Sequence, residues 1–151
     1  MRPFAILFVL AAGAVSAGPA AFHVNYATYL GGGLDEQAAG IAVDSAGNAY
    51  IVGTTSSPDF PLTSTAFGAP SKDNACAFVA KLSATGGALV WSICLANSTG
   101  AAIALDASGN VYVLTGATIT KLTPAADKIV YSKPLGTVAA EMAVDLMLST
   151  V

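Results

Sequence analysis

Aspartates at repeated positions are the residues whose type and spacing could carry chemistry in this chain. Residues 41–50 read IAVDSAGNAY and residues 103–112 read IALDASGNVY, with Asp44 and Asp106 at the same place in each copy. A decayed third copy, residues 142–145, also ends in Asp. Repeated carboxylates could together coordinate a Ca²⁺ ion, but such a site needs several closely spaced oxygens and each copy supplies one Asp. We therefore predict that each Asp accepts hydrogen bonds from the turn that follows it, with no metal bound.

The other residues shared by the two copies indicate a tight turn. In both copies Gly and Asn follow the Asp by three and four residues. These residue types tolerate the positive φ angles that tight turns require. The predicted turn-capping residues are Asp44, Gly47, Asn48, Asp106, Gly109 and Asn110.

Tyr26, Trp91 and Tyr131 occupy one repeat position and form a predicted aromatic row. Large aromatic side chains fill the space between packed elements, so core packing is the first interpretation. Stacking on a sugar ligand is the alternative.

Cys76 and Cys94 are predicted to form a disulfide. They flank a hairpin whose turn, residues 83–87, reads SATGG. If Leu82 pairs with Ala88, Cys76 lies directly opposite Cys94, and facing side chains of adjacent strands are about 4.5–5.5 Å apart. Two buried free thiols, which behave as small apolar groups, are the alternative.

The remaining residues that could act in catalysis lack the partners they would need. His23 is the only histidine, and Asp35 and Glu36 are adjacent, so their side chains point apart. Serine is not set in a G-x-S-x-G elbow, and the glycines at 31–33 do not lead into a phosphate-binding motif. We therefore expect no enzyme activity and no catalytic, cofactor-binding or metal-ligating residue.

Composition limits the class of protein. Of 151 residues, 54% are hydrophobic and 10% charged, and the net charge is −3. This chain is too apolar to be disordered, and it lacks the basic patch that nucleic-acid binding requires. A single domain without a nucleic-acid partner is expected.

The N-terminus has the pattern of a secretory signal. Arg2 precedes an apolar run over residues 4–15, and small residues follow it up to Ala17. We predict a signal peptide over residues 1–17 and a mature chain, 18–151, with no membrane span. A buried N-terminal helix or strand is the alternative.

Strand patterns separated by turns run from residue 24 onward and predict an all-β fold. They form two units of four antiparallel strands, residues 40–95 and 102–133, with partial strands at 24–30 and 142–145. The units repeat at about 40 residues, and the first carries about 22 extra residues between Thr55 and Ala75. Four short strands in such a period are typical of a propeller blade. The prediction is therefore an incomplete β-propeller with about two blades and orphan flanking strands.

Several segments between residues 26 and 82 resemble the bacterial β-propeller repeat family labelled SBBP. They are residues 26–32 (YATYLGG), 40–50, 54–61 (TTSSPDFP) and 77–82 (AFVAKL). The second unit lacks the segment that ends in Asp-Phe-Pro. The resemblance implies an exported or cell-surface repeat protein and supplies no catalytic residues.

Two blades do not close a ring, because single-chain propellers typically carry 4–8 blades. A truncated part of a longer surface protein, a ring built from several copies and a stand-alone open sandwich all stay possible, and open blade edges favour self-association. We expect a secreted or cell-surface, non-enzymatic scaffold or interaction surface with an unidentified protein or cell-surface partner. A carbohydrate-binding module and a subunit of a multi-chain propeller hydrolase are the alternatives.

Overall fold

The computed structural model describes residues 6–11, 24–71, 74–96 and 98–135. The described residues form ten β-strands and contain no helix that is long and apolar enough to cross a membrane. The strands are β1 Ile6–Ala11, β2 Val24–Leu30, β3 Glu36–Val43, β4 Ala49–Thr55, β5 Cys76–Leu82, β6 Leu89–Ala96, β7 Gly100–Leu105, β8 Val111–Thr115, β9 Thr118–Leu122 and β10 Ile129–Pro134.

Eight of these strands form two antiparallel sheets in sequential order. Strands β3 to β6 make the first sheet and β7 to β10 the second, and we call these sheets the first and second blades. Each blade is a meander, in which every strand pairs with the next one along the chain. Short turns join these strands except β4 and β5, which are joined by the insertion over residues 56–75. The predicted all-β fold with two four-stranded antiparallel blades and an unclosed ring is confirmed.

The predicted orphan strand at 24–30 is β2, and it pairs antiparallel with β1. Ile6 on β1 lies opposite Leu30 on β2. The strand β1 falls within the predicted signal segment, and the signal itself stays a prediction. The predicted partial strand at 142–145 lies outside the described residues.

The main core lies between the two blades. Side chains alternate across a strand, so Tyr50 and Val52 on β4 face the second blade while Ala49 and Ile51 face the opposite side. The buried residues of this interblade core are Tyr50, Val52, Ala77, Val79, Trp91, Ile93, Leu95, Val111, Val113, Leu122 and Ala126.

A second buried cluster covers the other face of the first blade. It combines Leu30 from β2 with Phe60 from the insertion between β4 and β5. Its remaining buried members come from β4 and β5 and are Ala49, Ile51, Phe78, Ala80 and Leu82.

The predicted register of the β5–β6 hairpin is wrong by two residues. Cys94 lies opposite Phe78, and Cys76 lies opposite Ala96, instead of the two cysteines facing each other. Two irregularities add up to this shift: Leu82 pairs with Leu89 instead of Ala88, and Lys81 then pairs with Trp91, which leaves one extra residue in β6. A bulge of this kind shifts all the pairs beyond it.

The disulfide between Cys76 and Cys94 is confirmed in spite of that shift, with 5.8 Å between the two Cα atoms. A shift of two residues keeps both side chains on the same face, because the side-chain period of a strand is two. The bond therefore joins diagonal neighbours across the strand pair.

Candidate functional site

Asp44 is the hydrogen-bonding centre of the turn between β3 and β4. Its Oδ1 accepts hydrogen bonds from the backbone N of Ala46 at 3.0 Å and of Asn48 at 2.9 Å. The side-chain Nδ2 of Asn48 donates to Oδ2 at 2.9 Å. Gly47, with φ of 86°, supplies the left-handed residue that closes the turn.

A lysine and a tyrosine complete the cluster around Asp44. Lys81 Nζ lies 3.4 Å from Asp44 Oδ2 and donates a hydrogen bond to the Tyr50 hydroxyl at 2.6 Å. The Tyr50 hydroxyl in turn donates to Asp44 Oδ2 at 3.2 Å. Tyr50 and Lys81 are directly opposite each other on β4 and β5, so sheet pairing brings them to the turn.

The second blade repeats this cluster around Asp106. Oδ1 of Asp106 accepts from the backbone N of Ser108 and Asn110 at 3.0 and 2.9 Å. Lys121 Nζ lies 3.2 Å from Oδ2, and the Tyr112 hydroxyl donates to the same oxygen at 3.3 Å. Gly109 again has positive φ, 78°.

The two clusters hold their carboxylates ionised. Burial alone would raise the pKa of Asp44, but hydrogen bonds from Asn48, Lys81 and Tyr50 lower it to about 2. The pKa of Asp106 is likewise about 2, because hydrogen bonds from Asn110 and Lys121 outweigh the opposing effect of burial. Such a carboxylate carries no proton at neutral pH and cannot serve there as a general acid.

The first cluster has a hydrogen bond to the neighbouring turn that the second cluster cannot form. In the first blade the backbone N of Ala84 donates to Asn48 Oδ1 at 3.1 Å, which ties the β3–β4 turn to the β5–β6 turn. The residue at the equivalent position of the second blade is Pro124, which has no N–H to donate.

In both clusters the aspartate is bonded by lysine and asparagine side chains, which links each turn to its strands. Within the described part of the chain, no group of three or more His, Cys, Asp or Glu side chains could hold a metal ion. Glu36 accepts a hydrogen bond from Thr55 Oγ1 at 2.8 Å, and with Asp35 it borders a shallow pocket of about 190 Å³. His23 lies outside the described residues.

The aromatic row divides between buried and half-buried rings. Trp91 is 8% exposed and meets Tyr50 edge-on, with 5.9 Å between ring centroids. Tyr131 is half-buried and meets Tyr112 edge-on at 6.5 Å. Tyr26 is half-buried, and its ring lies against Gly86 in the β5–β6 turn.

An open cleft of about 760 Å³ lies between the blades, at the end opposite the Asp turns. Of the lining residues that the structure describes, six carry hydroxyl groups and none is charged. These six are Ser98, Thr99, Thr115, Thr118, Thr120 and Ser132. Phe67, Leu95 and Ile129 supply apolar surface.

The cleft occupies a position that is filled in the first blade. Equivalent residues of the two blades are 62 apart on the first two strands and 40 apart on the last two. By this relation Thr118 and Thr120 correspond to Phe78 and Ala80, which belong to the buried cluster around Phe60. The cleft is therefore open because the second blade lacks an insertion like the one that carries Phe60.

Residue patterns did not reveal the cleft, and they named only part of each Asp cluster. Tyr50 and Tyr112 are identical in the two copies, and Lys81 and Lys121 share one repeat spacing, so these signals could have placed them beside the Asp residues. The replacement of Phe78 by Thr118, together with the missing insertion, could have indicated the cleft.

Comparison with known proteins supports the repeat on part of the chain. Residues 25–61 match the family model described as SBBP, beta-propeller repeat. The matched stretch contains β3, β4 and the start of the insertion, and it confirms the resemblance for one repeat of an incomplete set. No curated protein matches the chain.

Proposed function

We propose that this chain is a secreted or cell-surface, non-enzymatic β-propeller repeat protein that acts as a scaffold by packing blade against blade. The match over residues 25–61 supports the propeller repeat. The disulfide between Cys76 and Cys94 supports an extracytoplasmic location, because such bonds persist in oxidising compartments.

The observation that best supports the scaffold role is an exposed apolar strip on β3. Ile41 is 46% exposed and Val43 is 44% exposed. Their equivalents on the second blade, Ile103 and Leu105, pack against the interblade core. At this repeat position the second blade contacts its neighbour, whereas the first blade leaves the equivalent side chains exposed. Ile41 and Val43 could therefore pack against a further blade or a partner sheet.

The two alternatives gain less support from the geometry. Trp91 is 8% exposed and packed against Tyr50, which leaves little ring surface for stacking on a sugar. A hydrolase needs carboxylates that are free to bind a reacting group, whereas Asp44 and Asp106 are engaged by lysine, tyrosine and asparagine side chains.

Light scattering on the exported protein tests the scaffold role. We expect a defined oligomer for the unchanged protein and a smaller species when Ile41→Glu and Val43→Glu are combined, because charges would have to be buried in the contact. The matched control combines Val90→Glu and Val130→Glu, since these two valines are both 49% exposed and lie on the outer strands β6 and β10. A monomer before any substitution, or equal effects of both pairs, would contradict the proposal.

N-terminal sequencing of the same exported material tests secretion. Cleavage after Ala17 predicts a first residue of Gly18. Recovery only inside the producing cell, with the N-terminus uncut, would contradict it.

A further inference from the structure

We propose that the cleft between the blades binds an extended peptide segment of a partner protein, in which an aromatic residue is followed by proline, an aliphatic residue and threonine. The site is distinct from the exposed strip at Ile41 and Val43, so it goes beyond the scaffold role.

The first blade shows how such a segment is held. Phe60 of its insertion packs on Phe78 with 4.7 Å between ring centroids and is 4% exposed. Leu62 packs against the same buried cluster. The apolar side chains of the insertion therefore fill the space that corresponds to the cleft.

The outer edge of the first blade holds the backbone of that segment. The N of Ser92 donates to Thr63 Oγ1 at 2.8 Å, and the N of Thr63 donates to the carbonyl O of Ser92 at 3.0 Å. The Ser92 hydroxyl donates to the carbonyl O of Pro61. Three consecutive residues of the segment are thus bound: Ser92 on the edge strand bonds to Pro61 and Thr63, and the apolar cluster contacts Leu62.

The second blade keeps these anchors and lacks the segment. Ser132 on the edge strand β10 stands at the position of Ser92. Ile129 corresponds to Leu89, and Leu95 corresponds to Leu30, so the apolar floor is also retained. Among the described strands, β10 is an edge strand whose outward backbone groups pair with no neighbouring strand, and it lies beside a pocket with an apolar floor. This is the arrangement that binds extended peptides by strand addition.

The lining of the cleft indicates how its ligand differs from the insertion. Thr118 stands where the first blade has Phe78, so the pocket is wider and carries a hydroxyl group. The Thr120 and Ser132 hydroxyls lie 3.0 Å apart and provide further hydrogen-bonding groups. A tyrosine in place of phenylalanine would fill the extra width and bond to these hydroxyls, so we expect tyrosine to be preferred. Because the described lining residues include no charged side chain, a peptide suits the cleft better than a phosphorylated or highly charged ligand.

A fluorescence anisotropy titration of the full chain with short labelled peptides tests the proposal. The first probe has the sequence of residues 57–63, SPDFPLT, the second has tyrosine in place of its phenylalanine, and the third is a scrambled control. We expect saturable binding of the first two peptides, severalfold tighter for the tyrosine version, and none for the scrambled one.

Two substitutions locate the binding site. Thr118→Phe restores the residue type of the first blade and fills the cleft, so we expect at least a tenfold loss of peptide affinity. Ser132→Pro removes the outward N–H of the edge strand, a place where proline is tolerated in sheets, and should also weaken binding. Thr85→Phe, at an exposed threonine in the β5–β6 turn, is the matched control and should bind as the unchanged protein does.

Circular dichroism on each variant separates loss of binding from loss of folding, and Ser132→Pro decides the matter if Thr118→Phe does not fold. Absence of peptide binding to the folded protein would overturn the proposal, as would binding that survives both substitutions. Binding of a neutral oligosaccharide such as cellohexaose in place of the peptides would overturn it in favour of a sugar site. None of these results depends on oligomer formation, so the scaffold role can fail independently.

Discussion

The first blade is closed by residues that have no counterpart in the second blade, and the second blade shows what the residues shared by the two blades provide. Both have four antiparallel strands and an Asp-centred turn with a lysine and a tyrosine. The first blade adds the disulfide and the Phe60–Phe78 contact. At the equivalent positions the second blade has Gly116, Thr118 and Pro134, and it leaves a cleft.

This comparison separates two kinds of information in the chain. The shared residues specify strand order and turn geometry, since they recur wherever a blade recurs. The residues that differ determine how the space beside each sheet is filled. Equivalent substitutions at a position where the two blades differ should therefore change stability by different amounts. Equivalent substitutions at a shared position should change stability by the same amount in both blades.

The largest expected difference lies in the aromatic row. Trp91→Ala removes a ring that is 8% exposed in the interblade core, and burial of that kind contributes about 3–5 kcal/mol. Tyr131→Ala removes a half-buried ring at the same repeat position and should cost about 1 kcal/mol. Urea unfolding followed by circular dichroism measures both losses. A Trp91→Ala protein that folds with unchanged stability would contradict core packing and favour the sugar-stacking alternative.

The next largest difference concerns the turn between the third and fourth strands of each blade. Gly86 has φ of 69°, and a Cβ atom there would lie 2.1 Å from the Tyr26 ring. Gly86→Ala should therefore destabilise the protein by about 2–3 kcal/mol, from the left-handed backbone and the steric clash together.

Ala126 provides the matched control at the equivalent position of the second blade. It has φ of 52° and is 2% exposed in the interblade core. Ala126→Gly relieves the left-handed backbone and loses a buried methyl group, so its net effect should stay within about 1 kcal/mol. Thermal unfolding measures both variants, and equal effects at the two sites would contradict the role assigned to Tyr26.

The Asp turns should behave alike, because both consist of shared residues. Each pKa is lowered to about 2 from 3.8, so each carboxylate stabilises the folded chain above pH 4 and loses that contribution as pH falls toward 2. Because the side chains are 21% and 20% exposed, we expect about 1–2 kcal/mol from each. Urea midpoints between pH 7 and pH 2 should show a flatter acid limb for Asp44→Asn and equally for Asp106→Asn. A flattening in only one variant would mean that the turns are not equivalent.

The features that could be predicted from sequence are those set by local chemistry. The Asp, Gly and Asn spacing predicted two turns, and the strand patterns from residue 24 onward predicted the strands β2 to β10, whereas β1 was not predicted. The pairing of Cys76 with Cys94 followed from their placement on neighbouring strands of one hairpin. Each of these depends on residues close together in the chain or across a single turn.

The features that escaped prediction depend on contacts between distant segments. The hairpin register differs from the prediction because Leu82 pairs with Leu89 and because β6 contains one extra residue, and nothing in the turn sequence marks either change. The cleft escaped because a void is defined by what a neighbouring segment fails to fill, in this case a counterpart of Phe60 in the second blade. Strand alternation assigns Thr118 and Thr120 to a buried face without showing that this face lacks a partner.

The smallest expected effect tests whether one backbone donor is the main difference between the two Asp turns. Ala84 donates to Asn48 Oδ1 at 3.1 Å, and Pro124 cannot make the equivalent bond to Asn110. Ala84→Pro alone should change stability by less than about 0.5 kcal/mol, because the lost hydrogen bond is offset by a less flexible unfolded chain. Double-mutant cycles isolate the bond: Ala84→Pro with Asn48→Ala, and Pro124→Ala with Asn110→Ala, should each give a coupling of about 0.5–1 kcal/mol. Equal couplings would mean that the repeat places both asparagines alike and that the proline only withholds the donor. No coupling in the second cycle would mean that the turn at Asp106 has a geometry of its own.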